Sequence, residues 1–168
     1  MCSGEPPSEW ADAPLVALTA HLVDQHHAFT RAELGRLGPM LAKVARVHGE
    51  RHPFMIEVAA VFGDFASELS LHMAKEERAL FPAIVALERG EHGMNVGMPI
   101  RVMNAEHEVA GAQIARMRAL TNGFVTPEGG CNTFRAALAG LEELEADLHQ
   151  HVHLESNILF PRALRLLG

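Results

Sequence analysis

Leu15, Leu18, Leu22, Phe29 and Leu34 recur at helical spacing along the first part of the chain, predicting a helix from Ala13-Pro14 to about Val47. Asp12 is placed to cap it, and Pro14 falls in the first turn, where a missing N–H costs nothing. Gly38-Pro39 should bend or break the pattern before Met40 to Val47 resumes it, and His48-Gly49 should end it. A second helix is expected from His52-Pro53 through Phe62, Phe65, Leu69 and Met73 to Leu87, kinked at Pro82 and closed near Gly90. Pro99 opens a third, through Val102, Val109, Ile114 and Met117 to Leu120, ended by Asn122-Gly123. The fourth spans about Asn132 to Leu166, again with a late proline, Pro161. Four long amphipathic helices with short connections predict an all-α, antiparallel up-down four-helix bundle.

Composition adds limits. A chain of 168 residues, 48% hydrophobic, suits one compact domain, placed at residues 13–168 behind a flexible N-terminal segment, 1–12. Lys and Arg number 14 against 21 Asp and Glu, which argues against a phosphate-tracking nucleic-acid surface and an anionic-membrane patch. The N-terminus MCSGEPPSEW is not a basic, apolar signal sequence, and no apolar run approaches the roughly 18 residues of a membrane span. Two cysteines, Cys2 and Cys131, make no disulfide framework and fit a reducing compartment, so the expected location is cytoplasmic.

Eleven histidines beside no tyrosine change the picture more. The excess invites a metal hypothesis, and the absence of tyrosine removes tyrosyl-radical and tyrosinate-iron chemistry. The second and fourth helices carry one pattern twice: His72-Met-Ala-Lys-Glu76-Glu-Arg-Ala-Leu80-Phe81-Pro82 and His151-Val-His-Leu-Glu155-Ser-Asn-Ile-Leu159-Phe160-Pro161, offset by 79 positions. His27 and His107 precede them on the other helices, offset by 80. His and Glu four apart share a helix face, so each repeat can aim an imidazole and a carboxylate at one point between helices. One such pair reads most simply as an exposed i, i+4 polar pair; two in the same frame read as a site. Spacing leaves His26 open as an alternative to His27, and His48 as a further candidate. Five imidazoles and two carboxylates exceed the six positions of one ion, which points to two metals sharing the glutamates. The N/O donor set without thiolate suits iron or manganese rather than structural zinc. The Glu-x-x-His plan of ferritin-like di-iron proteins does not apply, because no histidine has a glutamate three residues before it.

These residues resemble the hemerythrin-like domain of the bacterial repair-of-iron-centres proteins, the di-iron proteins of iron–sulfur cluster repair. The resemblance is carried by Ala13-Pro14-Leu15, His26-His27 with Arg31, Lys43 to His48, His72 to Pro82, Glu106 to Gly111, Asn122 to Pro127 and His151 to Leu164. It implies metal ligands at His27, His48, His72, Glu76, His107, His151 and Glu155, with both glutamates bridging two non-haem irons that share an oxo or hydroxo bridge. Five histidine bonds, four from the glutamates and two from that bridge fill eleven of twelve positions. One would then be open, on the iron with two histidines. Oxygen-carrying hemerythrins are less similar: they have a second histidine where this chain has Gly111, and an aspartate five residues after a histidine where this chain has Glu155 four after His151. On that comparison His48 stands as the replacement ligand. Family members also carry a small N-terminal domain with two adjacent cysteines; here only Cys2 remains, so any sulfur chemistry those cysteines supply would have to be borrowed.

Glu68 and Glu106 match acidic positions of the family pattern and are candidates for orienting a ligand imidazole or relaying protons; Asp147, one turn before His151, is weighed equally between that role and surface charge. His21, His52, His92, His149 and His153 read as solvated or capping residues, and Met40, Met55, Met73, Met103 and Met117 as core filler. The implied function is an iron–sulfur cluster repair protein of oxidative or nitrosative stress, with O2, NO or peroxide as small ligand and damaged iron–sulfur proteins as partners. A hemerythrin-like reversible binder or sensor of O2 or NO, and a stand-alone di-iron NO reductase or oxidase, are the alternatives.

Overall fold

The computed structural model describes residues 9–167. Four helical rods account for the fold: α1 (15–48), α2 (54–88), α3 (Gly97–Leu120) and α4 (132–165). No strand occurs among the described residues. Connections of five, eight and eleven residues, short beside the rods, make neighbours run antiparallel, and the contacts agree: α1 packs on α2 and α4, α2 on α3, and α3 on α4.

The helix limits differ from the expected ones for identifiable reasons. Helix α1 begins at Leu15 after Pro14, and Asp12 gives no cap. Its first N–H groups donate instead to a distant side chain, Glu88 at the end of α2, with Leu15 N at 2.6 Å from Oε1 and Val16 N at 3.0 Å from Oε2. Pro39 does not break α1, which runs on through Ala28–His48. Of the expected flexible segment, residues 1–8, Cys2 included, lie outside the described residues. Trp10 is half-buried, and its carbonyl accepts a hydrogen bond of 2.8 Å from Arg162.

Three rods widen into π-helical turns, at Leu22–His27, Glu76–Leu80 and Leu154–Leu159. The last two end two residues before Pro82 and Pro161. A proline ring meets the carbonyl four residues back in an α-helix; a wider turn relieves that clash, so the expected kink is absorbed as a bulge.

Two apolar clusters fill the bundle. One, built around Leu37, Met55, Phe65, Met117, Phe134 and Leu141, occupies the end where α1 finishes. The other, with Leu18, Ile84, Ile100, Leu159 and Phe160, occupies the opposite end. Along α2 the first reaches Met73 and the second starts at Leu80; along α4 they stop at Leu148 and resume at Leu154. Polar residues in the gap are therefore sealed above and below by apolar side chains.

Helices α1 and α4 approach closely at Gly140, where a Cβ would come within 2.6 Å of both Leu37 Cδ2 and Arg36 Nη2. Leu37 is fully buried and cannot retreat. Gly140→Val is expected to destabilise the bundle by about 1–3 kcal/mol, read as a lower midpoint in urea unfolding; an unchanged midpoint would mean the interface yields.

Candidate metal centre

Six of the seven ligand candidates meet in that gap. His27, His72, Glu76, His107, His151 and Glu155 come from all four helices and are buried, with Glu76 and Glu155 at 0% exposure. They form two groups, His27, Glu76, His151, Glu155 and His72, Glu76, His107, Glu155, each with all donor atoms within 4.8 Å of one another. The carboxylates straddle the groups. Glu76 places Oε2 3.3 Å from His27 Nε2 and Oε1 3.2 Å from His72 Nε2. Glu155 places Oε1 2.9 Å from His151 Nε2 and Oε2 2.9 Å from His107 Nε2. The imidazoles close each group, His27 to His151 at 3.2 Å and His72 to His107 at 3.1 Å between Nε2 atoms. The π turns sit at this level, with His27, Glu76 and Glu155 inside them.

The donor set fits two cations. Both oxygens of Glu76 and Oε2 of Glu155 are buried with only imidazole Nε2 atoms facing them and no well-aligned hydrogen bond, a costly arrangement unless a cation, or protons on those imidazoles, takes the lone pairs. Donors set at right angles on an ion with bonds of about 2.1 Å lie about 3 Å apart, matching the 2.9–3.3 Å spacing within the groups. Without metal the cluster is held by protons. Burial alone would depress the His27 imidazole, but Glu155, Glu76 and Glu77 outweigh it and raise its pKa to about 10. His72 is raised too, burial again being overcome by Glu76 and Glu106. Burial would raise Glu155, yet His151, His107 and His27 hold it well below the usual carboxylate range.

His48 is the exception. It ends α1, 21 residues beyond His27 on the same rod, and at 1.5 Å per residue that is about 31 Å. There its Nε2 lies 3.2 Å from Cys131 Sγ and its ring 5.3 Å from that of Phe134. With four imidazoles in place of five, the count made from the sequence would come to ten bonds for two ions, and one position on each would be open instead of one in all.

The outer contacts are partly the expected ones. Glu106 Oε2 lies 2.9 Å from His72 Nδ1 and also pairs with Lys75. Glu68 does not reach a ligand candidate; it accepts from Gln113 at 2.8 Å, and both line a cavity of about 310 Å³ beside His72. Asp147 bonds His26, not His151. Two contacts escaped the sequence reading. Glu77, held by Arg31 at 2.8 Å, lies 2.7 Å from His27 Nδ1, and Ser156, donating to Asn104, lies 3.1 Å from His107 Nδ1. Each follows a bridging-glutamate candidate by one residue, so the repeat register carried the signal. His149 and His153 are exposed, and of the methionines Met55, Met73, Met103 and Met117 are buried.

A four-helix bundle closing on two buried His2Glu2 groups that share both carboxylates is a hemerythrin-type centre, suited to a pair of irons. Residues 18–163 match the hemerythrin HHE cation binding domain. Similar proteins include the iron–sulfur cluster repair protein YtfE of Pectobacterium atrosepticum, 43% identical over 162 residues, covering 94% of this chain and 69% of that protein. The protein of the same name from Yersinia pseudotuberculosis is 43% identical over 157 residues, with the same coverage. The chain belongs to the hemerythrin HHE family and, within it, to the group of the iron–sulfur cluster repair proteins. No described helix is long and apolar enough to cross a membrane.

Proposed function

We propose that the chain is a di-iron protein of iron–sulfur cluster repair, serving cells under oxidative or nitrosative stress. The single observation that carries the reading is the pair of buried His2Glu2 groups built on two shared carboxylates; the relatives' names supply the repair role. His27, His72, His107 and His151, with Glu76 and Glu155 common to both groups, would hold the two irons. When bound, two irons supply one-electron steps and positions where O2, NO or peroxide can attach. The protein's own part is to exclude water with the apolar clusters on either side, to orient His27, His72 and His107 through Glu77, Glu106 and Ser156, and to keep a carboxylate at the rim in Glu106 and Glu68. Damaged iron–sulfur proteins are the partners this reading implies.

Iron supplied to a protein with an oxidatively damaged cluster should restore its activity, whereas equal free iron at chelated levels should not. No recovery would sink the repair role. A reversible O2 or NO binder is the second reading, favoured by the four protein donors per ion, which leave room for a ligand on each. Azide or NO is therefore expected to change the optical spectrum of the loaded protein and to saturate above one equivalent per chain. Saturation at one would restore the count with a single open position. Nitrous oxide in single turnover with NO would separate a reductase from a binder.

A further inference from the structure

Among the described residues, three rings touch the ligand imidazoles from outside the cluster. Phe81 lies against His27 with centroids 5.7 Å apart, Phe160 against His107 at 6.1 Å and His26 against His151 at 5.6 Å. Phe81 and Phe160 are buried in one apolar end of the bundle, and neither meets a further described ring. The His26 branch continues outward. Its ring meets that of His21 edge to face at 5.5 Å, and His21 meets Trp10 at 4.5 Å with planes 31° apart. Each step falls within the spacing of aromatic rings in contact. His151 and His26 are 1% and 4% exposed, whereas His21 and Trp10 are half-buried, so the four rings run from the centre to the surface.

The stack is anchored at both ends. Asp147 Oδ1 lies 2.9 Å from His26 Nδ1, and Arg162 donates to the Trp10 carbonyl at 2.8 Å. His26 belongs to neither metal-binding group, so its ring is free to serve as a spacer. Trp10 is also singled out chemically: it is the only tryptophan, and the chain has no tyrosine. An indole gives up one electron and takes it back far more readily than an imidazole or a phenyl ring. Imidazoles in contact instead form a bridge, across which electron tunnelling falls off less steeply than across a void.

We propose that Trp10 is the place where single electrons enter and leave the metal pair, passing through His21 and His26 to His151. The proposal rests on the di-iron reading above. In the inward direction a one-electron carrier protein docked at Trp10 is oxidised by one electron, and one Fe3+ becomes Fe2+. No bond forms or breaks along the stack, and no proton travels with the electron. The carrier never has to reach the ligands, which the apolar clusters seal.

The test drives the same path outward in the full chain, kept anaerobic. Azide radicals made by a radiation pulse take one electron from Trp10, giving azide ion, a proton and an indolyl radical. Fe2+ then returns the electron: the indole regains its proton and Fe3+ forms. With two Fe2+ bound, the indolyl absorption should decay at a rate independent of protein concentration, and ferric absorption should rise at that same rate. With two Zn2+ bound instead, the radical should persist many-fold longer. His21→Leu should slow the decay in the Fe2+ protein several-fold, while His21→Phe, which restores a ring, should keep the native rate. His26→Leu should slow it as well; His21 is half-buried and outside both metal groups, so its two variants carry the test if His26→Leu does not fold. Equal decay with Fe2+ and Zn2+, a rate unchanged by His21→Leu, or equal slowing by His21→Leu and His21→Phe would overturn the proposal. Loading of fewer than two irons would bring down the di-iron reading and the proposal with it. Failure to restore damaged clusters, with the fast decay intact, would strike only at the repair role.

Discussion

Glu76→Ala and Glu155→Ala should each retain less than about half of the native iron after gel filtration, while His48→Ala retains all of it. Each glutamate presents one oxygen to each group, so truncation removes a donor from both ions at once. It also leaves Nε2 pairs facing one another at 3.1–3.2 Å with one carboxylate fewer to offset their protons. A terminal imidazole such as His107 touches one group, so His107→Ala should fall between the two results. His48 lies about a full helix length away against Cys131, and its loss can alter only the far end of the bundle. Iron and protein measured on the same fractions decide the matter. Iron loss from His48→Ala equal to that from the glutamate variants would mean that this residue is a ligand and that the bundle rearranges to bring it in.

That expectation parts from the ligand set that the family resemblance implies. The two His-x-x-x-Glu-x-x-x-Leu-Phe-Pro frames made the core of the cluster legible, because residues four apart on a helix must share a face whatever the tertiary structure. His48 entered as a further candidate at the end of the first helix and was made a ligand by resemblance and by the need to replace one at Gly111. Two residues 21 apart on one unbroken rod cannot flank one ion, but the expected bend or break at Gly38-Pro39 hid that argument, and only the continuity of α1 through Pro39 supplies it. Glu77 and Ser156 were legible in principle, as equivalent positions of the repeat, but a glutamate and a serine do not look alike in sequence. The π turns were half-visible in the twin Leu-Phe-Pro motifs, which announce strain in the helix without saying whether a kink or a bulge relieves it. The cap that Glu88 provides for α1 was not legible at all, since it joins residues 73 positions apart only once the bundle exists.

Without iron the same cluster should make stability fall as pH rises. The His27 pKa is raised from 6.5 to about 10 in the metal-free fold, so the folded state binds a proton there that the unfolded chain gives up first. Its contribution is complete below about pH 6.5 and is lost as pH climbs through about 10. His72, raised for the same reason, adds to the loss as pH rises above its ordinary value. Glu155 works in the opposite range: its carboxyl is held below the ordinary value, so its share is present above about pH 4.5 and disappears only on acidification. Between pH 6.5 and 9 the histidines alone vary, and the metal-free melting temperature should drop by about 5 °C or more. Iron inverts the dependence, because it needs the Nε2 lone pairs that protons occupy; uptake should release protons and grow tighter with pH. The gap between loaded and metal-free melting temperatures should therefore widen from pH 6.5 to 9 in calorimetry. A metal-free protein whose melting temperature is flat or rising over that interval would mean that its imidazoles are neutral and that the buried carboxylates are balanced in some other way.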